Sequence, residues 1–120
     1  MAIALGVDGC KGGWFFFRLE GSDMSFGVVE SAHELLPQAD EDGCILIDIP
    51  IGILESGESE RTCDLAARRA LSPKRGSSVF PTPCRQALSA GSYEDALSIN
   101  RRILGRGLTK QSWAIVPKIR

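Results

Sequence analysis

Three features of the chain point to an α/β fold. Two short apolar runs, Ile3-Ala4-Leu5-Gly6-Val7 and Cys44-Ile45-Leu46-Ile47, are bounded by Gly, Pro and Asp, a pattern expected of buried, often parallel strands. Between them lie two more strand-like runs set off by turn residues. After Pro50 the spacing becomes helical: Cys63, Ala66, Ala67, Ala70 and Leu71 follow the i, i+3, i+4, i+7, i+8 stripe of an amphipathic helix.

The elements follow in order. A first strand covers about 2–8. Gly9-Cys10-Lys11-Gly12-Gly13 is a turn of hairpin length. Trp14-Phe15-Phe16-Phe17-Arg18-Leu19 makes a second strand, Ser22-Asp23 a second turn, and 24–30 a third strand. The three form an antiparallel meander. Ser31 followed by Glu34 has capping-box spacing, so a short helix begins there. A charged turn, Asp40-Glu41-Asp42-Gly43, leads into a fourth strand at 44–49. Reached through a helix, it is expected to run parallel to a strand already in the sheet.

In the second half, Thr62 is the expected N-cap of a helix at 63–71, with Asp64 and Arg68 an i, i+4 pair on a face away from the stripe. Residues 72–83 are a loop broken by Pro73, Gly76, Pro81 and Pro83. A short helix follows at about 84–89. Ser92 caps another that ends near Gly105, with Arg101 and Arg102 in its last turn, where the helix dipole favours cations. Thr109 caps a last helix through Trp113 and Ile115, interrupted near Pro117.

At 120 residues the chain fits one domain, with a sheet part at 1–49 and a mainly helical, basic part at 50–120. The net charge of −1 hides a division. Residues 1–60 hold two bases and 12 acids, for −10. Residues 61–120 hold 12 bases and three acids, for +9. The basic half suggests an anionic partner, nucleic acid or another phosphate-bearing ligand, or else helices whose solvated charge covers an acidic sheet. No apolar run approaches the ~20 residues of a membrane span, and the start has no basic n-region of a signal peptide. Cys10, Cys44, Cys63 and Cys84 lack zinc-ligand spacing. Cys44 and Cys63 sit in apolar patterns, where a thiol acts as a small hydrophobe. A reducing cytoplasm is the expected compartment.

Chemistry centres on the ends of the two apolar runs, Asp8 and Asp48. A carboxylate at the edge of a buried strand is costly to desolvate, and two on neighbouring strands repel unless a cation or shared proton settles the charge. Mg²⁺ or Mn²⁺ suits such oxygens, and two such ions ~3.5–4 Å apart activate water and hold the leaving oxygen of a phosphodiester. The plain alternative is that Asp8 and Asp48 cap turns before Gly9 and Pro50. Lys11, at the hairpin tip, is a phosphate contact or a solvated lysine. The loop Lys74-Arg75-Gly76-Ser77-Ser78 offers cations, hydroxyls and amides for an anionic substrate, and Thr82 and Arg85 extend it. Asn100 is a buried hydrogen-bonder or a ligand contact. Lys110 and Lys118 are further candidates for the same substrate. His33 is the only histidine and is expected to face solvent, so a His-based triad has little support. Trp14 and Trp113 are expected in the core.

The order strand, strand, strand, helix, strand, helix matches the first part of the ribonuclease H-like fold. Gly6-Val7-Asp8-Gly9-Cys10-Lys11-Gly12-Gly13-Trp14 resembles the opening of an uncharacterised family of predicted RNase H-like nucleases, a domain of unknown function. Asp48-Ile49-Pro50-Ile51-Gly52 resembles its second signature, and Arg61-Thr62-Cys63-Asp64 with Ala67-Arg68 its third. Ser77-Ser78-Val79-Phe80-Pro81-Thr82-Pro83 with Arg85, then Asn100-Arg101, Lys110-Gln111-Ser112-Trp113-Ala114-Ile115 and Pro117-Lys118-Ile119-Arg120 continue the likeness over nearly the whole chain. The resemblance implies a metal-dependent nuclease with Asp8 and Asp48 as metal ligands. It also implies a fifth strand and a following helix, which these 120 residues do not supply; a fragment, a naturally short version and a chain that completes its sheet with a partner are the readings left open. A chain lacking that strand is expected to pair its open sheet edge with a second copy, as a homo-oligomer. Two other readings stay open: an actin-like phosphotransferase gripping a nucleotide and Mg²⁺, and a non-catalytic protein that binds or assembles.

Overall fold

The structure is a computed structural model of the chain and describes residues 2–57 and 60–120. It is a mixed α/β arrangement in two compact units, Met1–Ile49 and Pro50–Arg120.

The first unit is a four-stranded mixed sheet. Strands β1 (Ile3–Cys10), β2 (Gly13–Glu20), β3 (Asp23–Val29) and β4 (Cys44–Ile47) lie in the order β3-β2-β1-β4. β1 and β2 pair antiparallel, as do β2 and β3, while β4 runs parallel to β1 with Ala4 opposite Cys44 and Val7 opposite Ile47. The meander and the parallel fourth strand are as expected from the sequence. The turns are tighter: each hairpin has a two-residue loop, Lys11-Gly12 and Gly21-Ser22, because Gly9 stays in β1 opposite Trp14 and Asp23 pairs with Glu20. Gly13 makes the first turn possible. Its φ of 132° suits glycine, and a Cβ there would lie 2.2 Å from the Val29 carbonyl oxygen.

Alternation along the strands sorts the side chains. Ile3, Leu5, Val7, Trp14 and Phe16 point inward and form a core with Leu35. Gly27 lies opposite Phe16, and a Cβ there would press on that ring at 3.1 Å; the glycine makes room for the aromatic. The core is closed by a 3₁₀ helix at Ala32–Gln38, started by the expected capping box of Ser31 and Glu34. Pro37 lies inside it and has no N–H to extend an α ladder, which fits the tighter winding. Arg18 Nε donates to the Gln38 carbonyl at 3.1 Å and ties the helix end to β2.

The second unit holds helices α1 (Thr62–Leu71), α2 (Tyr93–Leu104) and α3 (Lys110–Ile119), with 3₁₀ turns at Gly76–Ser78 and Arg85–Ser89. Its core gathers Cys84, Ala87, Ala96, Leu104 and Leu108, with Trp113 packed against it. Three expectations need correction. Arg61, not Thr62, is the N-cap residue of α1, and no side chain caps that end. Pro117 lies within α3 rather than interrupting it; the ladder resumes where the Arg120 N–H reaches the Val116 carbonyl. The apolar stripe of α1 faces solvent, while Asp64 is the buried residue of that helix. Cys44 and Cys63 are exposed accordingly, and Cys84 is the fully buried thiol.

The caps of the other two helices are as expected. Ser92 Oγ accepts from the Asp95 N–H at 3.2 Å, Gly105 follows α2 with φ 72°, and Thr109 Oγ1 accepts from the Ser112 N–H at 3.1 Å. Ser92→Ala is expected to cost about 1 kcal/mol, read as a lower urea midpoint for the helical unit with an unchanged m-value.

Candidate functional site

In the first unit the sequence places two carboxylates one step past the parallel ladder. The β1–β4 register pairs Val7 with Ile47, so Asp8 and Asp48 occupy the next adjacent positions. The Asp48 N–H donates to the Val7 carbonyl at 3.2 Å and closes the ladder there. Both side chains belong to the face opposite the Leu5–Val7 core, and both residues are exposed. β1 continues past Asp8 to Cys10, so Asp8 also stands opposite Phe15 on β2. Lys11 is exposed at the hairpin tip three residues on. Neighbouring strands are about 4.8 Å apart, close enough for two carboxylates to share one cation.

The donor set is all oxygen, which suits Mg²⁺ or Mn²⁺ over zinc. Among the described residues no group of three or more His, Cys, Asp or Glu side chains is placed to hold a metal ion. A hydrated Mg²⁺ fits two carboxylates, because that ion keeps several waters and takes one or two protein carboxylates.

The remaining candidates all lie in the second unit. Arg75, Ser77 and Ser78 are exposed around the buried Gly76. Arg85 is exposed and pairs with Glu55 at 2.8 Å. Lys110 lies over the Tyr93 ring, 5.7 Å from its centroid. Lys118 is half-buried. Thr82 and Asn100 are buried. Thr82 Oγ1 donates to Asp64 at 3.0 Å. Asn100 Oδ1 accepts from the Cys84 N–H at 2.8 Å, while its Nδ2 donates to the carbonyls of Arg106 and Gly107. Both side chains serve the fold of this unit.

They belong to a polar network that the sequence reading did not assemble. Asp64 is 8% exposed. Arg61 reaches it with two bonds, Nε at 2.8 Å and Nη2 at 2.7 Å, and spends Nη1 on the Ile51 carbonyl at 2.7 Å. Arg68 pairs with Glu60 at 2.6 Å and donates to the Val79 carbonyl, while Arg106 donates to the Thr82 carbonyl. Burial alone would push the Asp64 carboxyl up. Hydrogen bonds from Arg61 and Thr82, with the charges of Arg61 and Arg68, outweigh that and hold it below the usual aspartate range. The Asp64 bond raises the Arg61 pKa in turn, and burial lowers that of Arg106, partly offset by Glu60. Among the described residues every buried side-chain N or O has a partner. The expected Asp64–Arg68 pairing thus gives way to Arg61–Asp64 and Glu60–Arg68. The available signal was Arg61 three residues before Asp64 at a helix start, where both sit on one face.

The chain belongs to the family described as Protein of unknown function (DUF429), whose profile matches residues 6–120. No curated protein and no solved structure matches it. Among the described residues no helix is long and apolar enough to cross a membrane.

Proposed function

We propose that this protein is an RNase H-like, metal-dependent phosphodiester hydrolase acting on nucleic acid. The observation that carries the reading is the pair of exposed carboxylates, Asp8 and Asp48, each one residue past the Val7–Ile47 end of the β1–β4 ladder. The strand order β3-β2-β1-β4, with an antiparallel meander and a parallel fourth strand, supports the RNase H-like assignment.

In this reading Asp8 and Asp48 hold Mg²⁺ or Mn²⁺. The ion supplies Lewis acidity and an activated water. Asp8 sits within β1, and Asp48 follows directly on β4, its N–H tied to the Val7 carbonyl at 3.2 Å. Their exposure leaves the ion's other positions to water and phosphate. Lys11, in the same unit, is a phosphate contact. In the second unit Arg75, Ser77, Ser78, Arg85, Lys110 and Lys118 supply phosphate contacts whose strength falls with salt, while Thr82 and Asn100 keep that unit's frame.

The test uses purified protein with single-stranded DNA, RNA and an RNA–DNA hybrid, with and without Mg²⁺. Cleavage that needs Mg²⁺ is expected, and Asp8→Asn or Asp48→Asn should reduce it by more than the roughly 100-fold that loss of an outer-shell partner costs. Full cleavage by Asp8→Asn would sink the reading. Thermal stabilisation by ATP with Mg²⁺, without cleavage of any nucleic acid, would favour the phosphotransferase alternative.

A further inference from the structure

Two apolar surfaces face water, one on each unit, and the two units carry net charges of opposite sign. The first is the outer face of the sheet. Register places Leu46 beside Gly6, Phe17 opposite Phe26, and Leu19 opposite Met24. Phe17, Leu19, Met24, Phe26, Val28 and Leu46 are 45–70% exposed. Phe15, Phe17 and Phe26 touch, with ring centroids 5.3–6.1 Å apart. Six such side chains present on the order of 600 Å² of apolar surface, at the top of the range for the largest patch on a typical monomer. The β1–β4 pair makes this more pointed, because parallel strands are normally covered on both faces. The 3₁₀ helix covers only the Leu35 side.

The second surface is on α1. A surface helix ordinarily turns its apolar stripe inward. This one buries Asp64 and exposes Cys63, Ala66, Ala67, Ala70 and Leu71. Its small side chains let a helix approach bulky neighbours closely.

Charge decides which surfaces meet. Residues 1–49 carry two bases and nine acids, for −7, and residues 50–120 carry 12 bases and six acids, for +6. Two sheet faces packed together would join two acidic units, and two α1 stripes would join two basic ones. A sheet face against an α1 stripe joins opposite charges and covers apolar surface on both sides. We propose that the protein forms a two-fold dimer in which the α1 stripe of each copy docks on the outer sheet face of the other. Such a contact occurs twice in an isologous dimer. Two buried faces of this size come within reach of the ~1,600 Å² of a standard interface. The same outer face carries Asp8 and Asp48, next to Phe15 and Leu46, so α1 of one copy would lie beside the carboxylate pair of the other; sedimentation reads the dimer and cleavage reads the hydrolase, each without the other.

Sedimentation equilibrium and a mixing experiment test it. The native chain is expected to be dimeric at micromolar concentration. Phe26→Lys on the sheet and Ala67→Glu on α1 both replace exposed residues, and each should weaken dimerisation more than about tenfold. Circular dichroism should show both variants folded. Mixed together, they should recover part of the association, since the intact helix of the Phe26→Lys copy meets the intact sheet of the Ala67→Glu copy. A monomeric native chain overturns the proposal. So does a dimer that either variant leaves intact, or one that mixing fails to rescue.

Discussion

Asp64→Ala is expected to destabilise the helical unit by about 3–5 kcal/mol, the cost of removing one partner from a buried ion pair. The substitution strips Arg61 of two hydrogen bonds and leaves Thr82 Oγ1 without its acceptor. Arg61 would keep its Ile51 carbonyl contact, and so would remain near the gap with its charge uncompensated. Urea unfolding followed by Trp113, in a Trp14→Phe background, reads this unit. A loss under 1 kcal/mol would mean that Arg61 escapes to water. The pair also sets a pH dependence. The carboxyl of Asp64 is held below the ordinary aspartate range in the folded state, so folding favours its ionised form. That contribution is fully present above the unfolded aspartate value, near 4, and is lost as pH falls through 4 toward the lower folded value. Stability of the native unit should therefore drop on acidification below about pH 5. Asp64→Asn should show a shallower drop from a lower start.

Asn100→Ala is expected to cost about 3 kcal/mol, since each buried polar group left unpaired costs roughly 1–3 kcal/mol. Asn100 is fully buried and joins three places in the chain: the Cys84 N–H and the carbonyls of Arg106 and Gly107. Its amide is the right group because it offers an acceptor to the first and donors to the other two. Asn100→Asp keeps the acceptor but turns a carboxylate toward two carbonyls, and should be at least as damaging at neutral pH. If Asn100→Asp matched the native protein in urea midpoint, the amide assignment would fail.

These side chains mark how far the sequence could be read. The sheet was legible because its signals are local. Alternation in Trp14–Leu19, glycines at the hairpins and a capping box at Ser31 each act within a few residues, and a strand reached through a helix has one favoured direction. The adjacency of Asp8 and Asp48 followed from that topology. The Ser92 and Thr109 caps were legible for the same reason.

What failed were inferences about which side of a helix faces inward. The α1 stripe looked like a core face by spacing alone, yet the helix buries Asp64 instead. Helical periodicity shows that two faces differ, not which of them finds a partner. Here the inward face meets Thr82 and Arg61, and a carboxylate with three hydrogen bonds tolerates burial. Those partners lie up to 18 residues away, beyond any local pattern.

Order along the chain determined the strands, their directions and the placing of two acids just past the end of one parallel ladder, because backbone pairing and turn chemistry operate at short range. Only the folded arrangement decided that Asp64 and Thr82 are internal, which groups Asn100 joins, and that the alanine side of α1 is external. Burial is a property of what packs against a residue, and those neighbours come from distant parts of the chain.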